Sequence, residues 1–181
     1  MSTKLRYAYK NYLEAARSLP IGLRRKASAP LLMSLRNGWG DSPNRLLIVG
    51  QETNGWSSSQ DTRRVQLSTL DHFCSSNTGI EEMVNAYVTF DFANRNSAFW
   101  KAFRHLECNV AETHSTAMWT NLFRVDVGGS VVRNCDKKTR CYLRKAQAGL
   151  LATEVKLLKP TVIVFFSGPT YDDEIEHEFP D

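Results

Sequence analysis

Long apolar stretches are missing from this chain of 181 residues. A membrane-spanning helix needs about 18 consecutive apolar residues, so an α-helical membrane protein is excluded. The amino terminus carries basic residues but no apolar core of a secretory signal, which predicts a cytoplasmic protein without a membrane partner. Internal repeats are also missing, and the length fits one domain with its own hydrophobic core.

Closely paired cysteines are missing as well. The four cysteines form no Cys-x-x-Cys pair and stand at Cys74, Cys108, Cys135 and Cys141. In a chain without a secretory signal, such scattered cysteines are typical of free or buried thiols. We therefore predict no metal site and no other cofactor.

Acidic residues are scarce in the first quarter of the chain. Only Glu14 and Asp41 oppose the cations there, which are Lys4, Arg6, Lys10, Arg17, Arg24, Arg25, Lys26, Arg36 and Arg45. A basic region with interleaved tyrosines suits contacts with phosphates, for which Arg24, Arg25 and Lys26 are the candidates. The alternative is a solvated helix face whose lysine and arginine stems cover apolar surface.

The spacing of apolar residues predicts alternating helices and strands. Helices are expected over 3–18, 97–106 and 139–158, with shorter helical parts at 31–33 and around 63–73. Strands are expected over 45–49, 116–123 and 161–166, the last being an apolar run of the kind buried in a parallel sheet. This order predicts an α/β fold with a parallel sheet.

A polar loop, Gly50–Trp56, directly follows the first predicted strand. In open α/β sheets, loops at the carboxyl ends of the strands line the ligand crevice. The carboxylate of Glu52 and the amides of Gln51 and Asn54 can contact a substrate there while the strand holds their backbone. The alternative is an ordinary turn after a buried strand.

Three segments of the chain carry a family resemblance. They are Val49–Glu52, Trp119–Phe123 and the helix–Leu-Lys-Pro–strand–Gly unit Leu151–Gly168. With Ala98–Lys101, they make the chain similar to the uracil-DNA glycosylase superfamily over roughly residues 45–171. The resemblance implies a three-layer α/β/α sandwich around a short parallel sheet. The distribution of charge predicts a basic helical region (1–44) before it and an acidic tail (172–181) after it.

The resemblance also implies roles for single residues. Glu52 falls where members carry the group that positions or activates the attacking water; in Gly-Glu branches this acid stands at the position of Gln51. Asn121 falls where the family asparagine reads the Watson–Crick edge of the flipped base. Gln51 and Asn54 would line the same pocket.

The pocket is expected to differ from that of strict uracil enzymes. Asn54 replaces an aromatic residue that blocks a 5-methyl group in those enzymes, which predicts that a modified pyrimidine also enters. Trp56 and Phe123 are the candidates for a pocket wall or a wedge. No cysteine precedes Gly50, which disfavours the iron–sulfur branches.

A histidine loop of the family has no counterpart. Members continue past the unit that ends at Gly168 to a further helix, a strand and a His-Pro loop that contacts base and DNA. Here His177 lies in an acidic run without that context. Two interpretations stay open: a truncated chain, or a member that lacks part of the active site.

The predicted function is hydrolysis of the N-glycosidic bond of a flipped uracil or modified pyrimidine in DNA, as in base-excision repair. A carboxylate near the sugar stabilises its developing positive charge, and donors at the base stabilise the departing anion. The partner would be duplex or single-stranded DNA. The alternatives are a degenerate nucleic-acid- or nucleotide-binding module and a hydrolase or transferase of free nucleosides.

Overall fold

The computed structural model describes residues 2–53, 69–90, 96–111 and 116–180. Three parallel strands form a small open sheet, which confirms the α/β class. The strands are β1 (Leu46–Gly50), β2 (Met118–Asn121) and β3 (Val162–Phe165). The α-helices are α1 (Thr3–Arg17), α2 (Ile21–Lys26), α3 (Leu70–Ser75), α4 (Gly79–Val88), α5 (Ala98–Leu106), α6 (Lys137–Gln147), α7 (Leu150–Leu158) and α8 (Asp172–Glu178).

The sheet has the order β2-β1-β3, so its first strand in sequence is its central strand. Gly50 at the end of β1 pairs with Asn121 at the end of β2, and Val49 pairs with Phe165 of β3. Every residue of β1 is buried. The prediction that the last strand is fully buried is wrong, because β3 lies at an edge of the sheet formed by the described residues and is half-buried throughout.

Helix α1 forms as its sequence predicts. Its apolar residues recur at helical spacing, and the Ser2 hydroxyl caps the first turn by accepting the Leu5 N–H at 3.2 Å. The buried face includes Tyr9, Tyr12 and Leu13 and packs against α3, α6 and α7. The basic amino-terminal region therefore presents its cations from a helix whose opposite face belongs to the core.

The prediction of one long helix over 139–158 is wrong. The chain forms α6 and α7, which are separated at Gly149, whose φ of 70° places it in the left-handed region. The carboxylate of Glu178 in α8 accepts the backbone N–H groups of Gly149 at 3.2 Å and Leu151 at 3.1 Å. A side chain from a distant segment thus caps the start of α7.

Other local predictions also differ from the structure. Residues 31–33 are buried and form no helix, and the N–H of Leu31 donates to the carbonyl of Arg124 at 2.8 Å. Of the helical part expected around 63–73, the described portion is the start of α3. Helix α4 was not predicted. Among the described residues, no helix is long and apolar enough to cross a membrane.

Candidate active site

Three chain segments meet at the carboxyl ends of the parallel strands. The N–H of Leu122 donates to the carbonyl of Gly50 at 2.9 Å, and the N–H of Phe123 donates to the carbonyl of Gln51 at 2.8 Å. From the same loop, the side-chain amide of Gln51 donates to the carbonyl of Ser167 at 2.7 Å. The loops after β1, β2 and β3 are therefore tied together at the edge where ligands bind in such sheets.

Asn121 lies directly against the backbone of Gly50. The asparagine is buried, and a Cβ added to Gly50 would lie 2.5 Å from its Oδ1 atom and 3.2 Å from the ring of Phe99. Only glycine leaves room for the amide at this register position. The rings of Phe99 and Phe166 pack edge to face with their centroids 5.6 Å apart, so an aromatic wall stands beside Gly50.

Glu52 is buried two residues after Gly50 and is held by hydrogen bonds. The hydroxyl of Tyr171 donates to its Oε2 atom at 2.9 Å, and the backbone N–H of Val132 also donates to the carboxylate. Burial raises the pKa of Glu52, and these two donors oppose the rise, whereas the nearby charge of Asp126 adds to it. Burial also raises the pKa of Tyr171, which keeps this hydroxyl a donor.

A ring of hydrogen bonds fixes the residue after Glu52. Thr53 donates its hydroxyl proton to Asp126 Oδ2 at 2.8 Å, and its Oγ1 atom lies 2.8 Å from that of Ser28. Ser28 Oγ in turn accepts the N–H of Asp126 at 3.0 Å. Because Ser28 and Asp126 are buried, this ring joins the loops after β1 and β2 in a region of low dielectric.

Behind the loop after β2 lies a buried ion pair. Nη2 of Arg124 lies 2.6 Å from Oε2 of Glu154 in α7, and both side chains are at most 1% exposed. Tyr9 donates to the other carboxylate oxygen at 2.9 Å, and Arg124 also donates to the hydroxyl of Thr120. This network anchors the residues that follow Asn121.

Gln147 at the end of α6 holds the same loop by its backbone. Its side-chain oxygen accepts the N–H of Arg124 at 3.2 Å, and its amide donates to the carbonyl of Leu122 at 2.5 Å. Both backbone groups are thereby satisfied in a buried place. Phe123 between them is 1% exposed, and its ring lies 6.5 Å from that of Tyr171, so its position fits a pocket wall rather than a wedge.

The remaining predicted site residues lie elsewhere. Asn54 and Trp56 are outside the described residues. Arg24 and Arg25 both face Asp71, at 3.3 and 3.6 Å, so a carboxylate within the chain already compensates much of their charge. Lys26 is exposed, and its carbonyl accepts the N–H of Gly128.

Sequence reasoning missed several residues of this site. Tyr171, Ser28 and Asp126 stand in no motif, and each reaches Glu52 or its neighbour from a distant part of the chain. One signal was present for Tyr171: it follows the third strand by a few residues, as Glu52 follows the first and Asn121 ends the second. Residues just past each strand of a parallel sheet are site candidates.

A groove of about 640 Å³ lies between α1 and the junction of α6 and α7. It contains none of the predicted site residues, and apart from Lys4 and Lys145 its lining is uncharged. Its lining contains no carboxylate, histidine or cysteine side chain. Within the described ranges, no three His, Cys, Asp or Glu side chains come close enough to hold a metal ion.

No protein-family model matches the chain, and neither a curated protein nor a solved structure matches it significantly. The functional interpretation thus depends on the geometry of the strand ends.

Proposed function

We propose that this chain is a DNA glycosylase that hydrolyses the N-glycosidic bond of a flipped uracil or modified pyrimidine. The fold would be the three-layer α/β/α sandwich of the uracil-DNA glycosylase superfamily. One observation carries the proposal: Glu52 and Asn121, from the ends of two paired strands, lie at one edge of the sheet with the carboxylate buried. Buried carboxylates in clefts are frequent catalytic groups.

The proposed reaction needs both residues. Glu52, ionised, accepts a proton from a water whose oxygen bonds to C1′ of the sugar, while the N-glycosidic electrons leave with the base. Asn121 hydrogen-bonds the base edge and stabilises the charge that develops there. The aromatic wall of Phe99 and Phe166 gives the extruded base a surface on which to stack, which offsets part of the few kcal/mol that unstacking costs.

The direct test is base release from defined oligonucleotides. Single strands and duplexes with one uracil, with one 5-substituted uracil or with guanine and cytosine only are incubated with the protein, and abasic sites are detected by alkaline strand cleavage. We expect cleavage at uracil and at a 5-substituted base, and none in the guanine–cytosine control. DNA binding without abasic sites across the panel would favour a binding module, and hydrolysis of free nucleosides alone would favour a nucleoside hydrolase.

Tyr171→Phe should move the acid limb of the pH–activity profile to higher pH. Glu52 must be ionised to accept a proton, and burial raises its pKa while the Tyr171 hydroxyl lowers it. Without that donor the pKa of Glu52 rises further, so activity at low pH falls and is recovered as the pH increases. The measurement is kcat/KM for base release against pH.

The matched control is Tyr7→Phe, because Tyr7 is 65% exposed on α1. Its profile should coincide with that of the wild type. An acid limb that stays in place in Tyr171→Phe would show that the hydroxyl does not tune Glu52.

A further inference from the structure

Cations cluster beside Glu52 on the segment that contacts its carboxylate. Val132, whose N–H donates to Glu52, belongs to the 3₁₀ turn Val132–Asn134, and α6 begins three residues after that turn. We define the α6 basic surface by the four cations of this stretch, which are Arg133, Lys137, Lys138 and Arg140. The surface therefore lies next to the candidate active site.

The charge of these cations is available to a partner. Arg133, Lys137 and Lys138 are exposed and Arg140 is half-buried. Within the described part of the chain, none of the four forms an ion pair. The nearest acid in sequence, Asp136, is engaged in capping α6, because its carboxylate accepts the N–H and the hydroxyl of Thr139 at 2.9 and 2.7 Å.

Three other cations of the described residues are paired with carboxylates. Arg144 on the next turns of α6 forms an ion pair with Glu174 of α8, and Arg24 and Arg25 face Asp71. The exposed carboxylates of Asp172 and Asp173 in α8 follow Tyr171 directly and would repel a phosphate chain. Among the described residues, the stretch 132–140 thus places unpaired positive charge beside Glu52.

We infer that the α6 basic surface binds the sugar–phosphate backbone of the DNA strand whose base enters the Glu52 site. This inference rests on the proposed function. Neutralising phosphates releases condensed counterions, and lysine and arginine side chains beside a base pocket hold the strand in register without reading its sequence. In this proposal the α6 basic surface, rather than Arg24 and Arg25, makes the main contacts with the phosphates.

The test is binding of a fluorescent duplex of guanine and cytosine only, which contains neither uracil nor a 5-substituted uracil, followed by anisotropy against salt concentration. The affinity of Lys137→Ala/Lys138→Ala for this DNA near 0.1 M salt should be lower than that of the wild type by about tenfold or more. The slope of log K against log[salt] should become shallower by about 0.9 for each phosphate of a duplex that the variant no longer neutralises. Alanine is the best helix former, so α6 is retained.

The control is Lys10→Ala/Lys156→Ala, which removes the same charge from exposed positions of α1 and α7 and should leave affinity and slope unchanged. Wild-type affinity and slope in the α6 variant, or displacement of the DNA by polyglutamate at equal charge concentration, would overturn the inference. Base release is measured in a separate assay. If the wild type releases the base and the α6 variant binds DNA as tightly as the wild type, only the inference about the α6 basic surface is contradicted. If the α6 variant binds more weakly but the wild type releases no base, only the glycosylase proposal is contradicted.

Discussion

Glu52→Gln should lower the rate of base release by about 10²- to 10⁴-fold, the range typical of a lost general acid or base. Glutamine has nearly the same shape and keeps one oxygen that can accept from the Tyr171 hydroxyl. It cannot accept a proton from water or offset positive charge on the sugar. Single-turnover release of the base under saturating protein gives the chemical rate directly.

Two further variants define the specificity of this result. Glu176→Gln removes an exposed carboxylate of α8 and should be as active as the wild type. Asn121→Ala should lose about 10²- to 10³-fold, as expected for one missing donor at a developing anion. Full activity in either Glu52→Gln or Asn121→Ala, with unfolding curves like that of the wild type, would contradict the assignment of that residue.

Arg124→Met should lower the free energy of unfolding by about 3–5 kcal/mol, because it leaves the Glu154 carboxylate buried without its counter-ion. The two side chains are at most 1% exposed, so water cannot replace the missing partner without a rearrangement. Urea unfolding followed by circular dichroism measures the change. Both side chains are remote from the protein surface, which makes this one of the largest effects expected for a single substitution.

The pH dependence of this loss has a defined sign. Burial raises the pKa of Glu154, and Arg124 opposes the rise, so the variant should have a still higher pKa in its folded state. For an acid with a raised folded pKa, stability is present below the unfolded value and is lost as the pH rises through the folded value. The deficit of Arg124→Met should therefore be smaller near pH 4.5, the ordinary value for glutamate, than above neutral pH.

A double variant separates the ion pair from simple packing. In Arg124→Met/Glu154→Met no charge stays buried, so the double variant should be more stable than Arg124→Met alone. A double variant that loses the sum of the two single losses would mean that the charges are not coupled.

The regular elements were predictable because their patterns are local. The apolar spacing from Leu5 to Ala16 predicted α1. The three strands were predicted from the apolar runs around Leu46–Val49 and Val162–Phe165 and from residues 116–123. The failures have non-local causes. Glu178 caps α7 at Gly149 and so divides the predicted long helix, although these residues are 29 positions apart.

The candidate site was likewise predictable only in part from the sequence. Glu52 could be placed just past a strand from the apolar run before it, whereas Asn121 was singled out by the family resemblance and lay inside the predicted strand 116–123. That Glu52 and Asn121 lie close together follows only from the parallel register of β1 and β2, which pairs Gly50 with Asn121. Tyr171 carried no comparable signal, because its hydrogen bond to Glu52 spans 119 residues.

Local pattern in the chain was therefore sufficient for the α/β class and for the polar residues that end its strands, since helix and strand periods are properties of neighbouring residues. The pKa of Glu52, the compensation of Arg24 and Arg25 by Asp71 and the exposure of Lys137 and Lys138 came only with the packed molecule. Burial and charge pairing depend on which distant segments meet, and no local pattern specifies that.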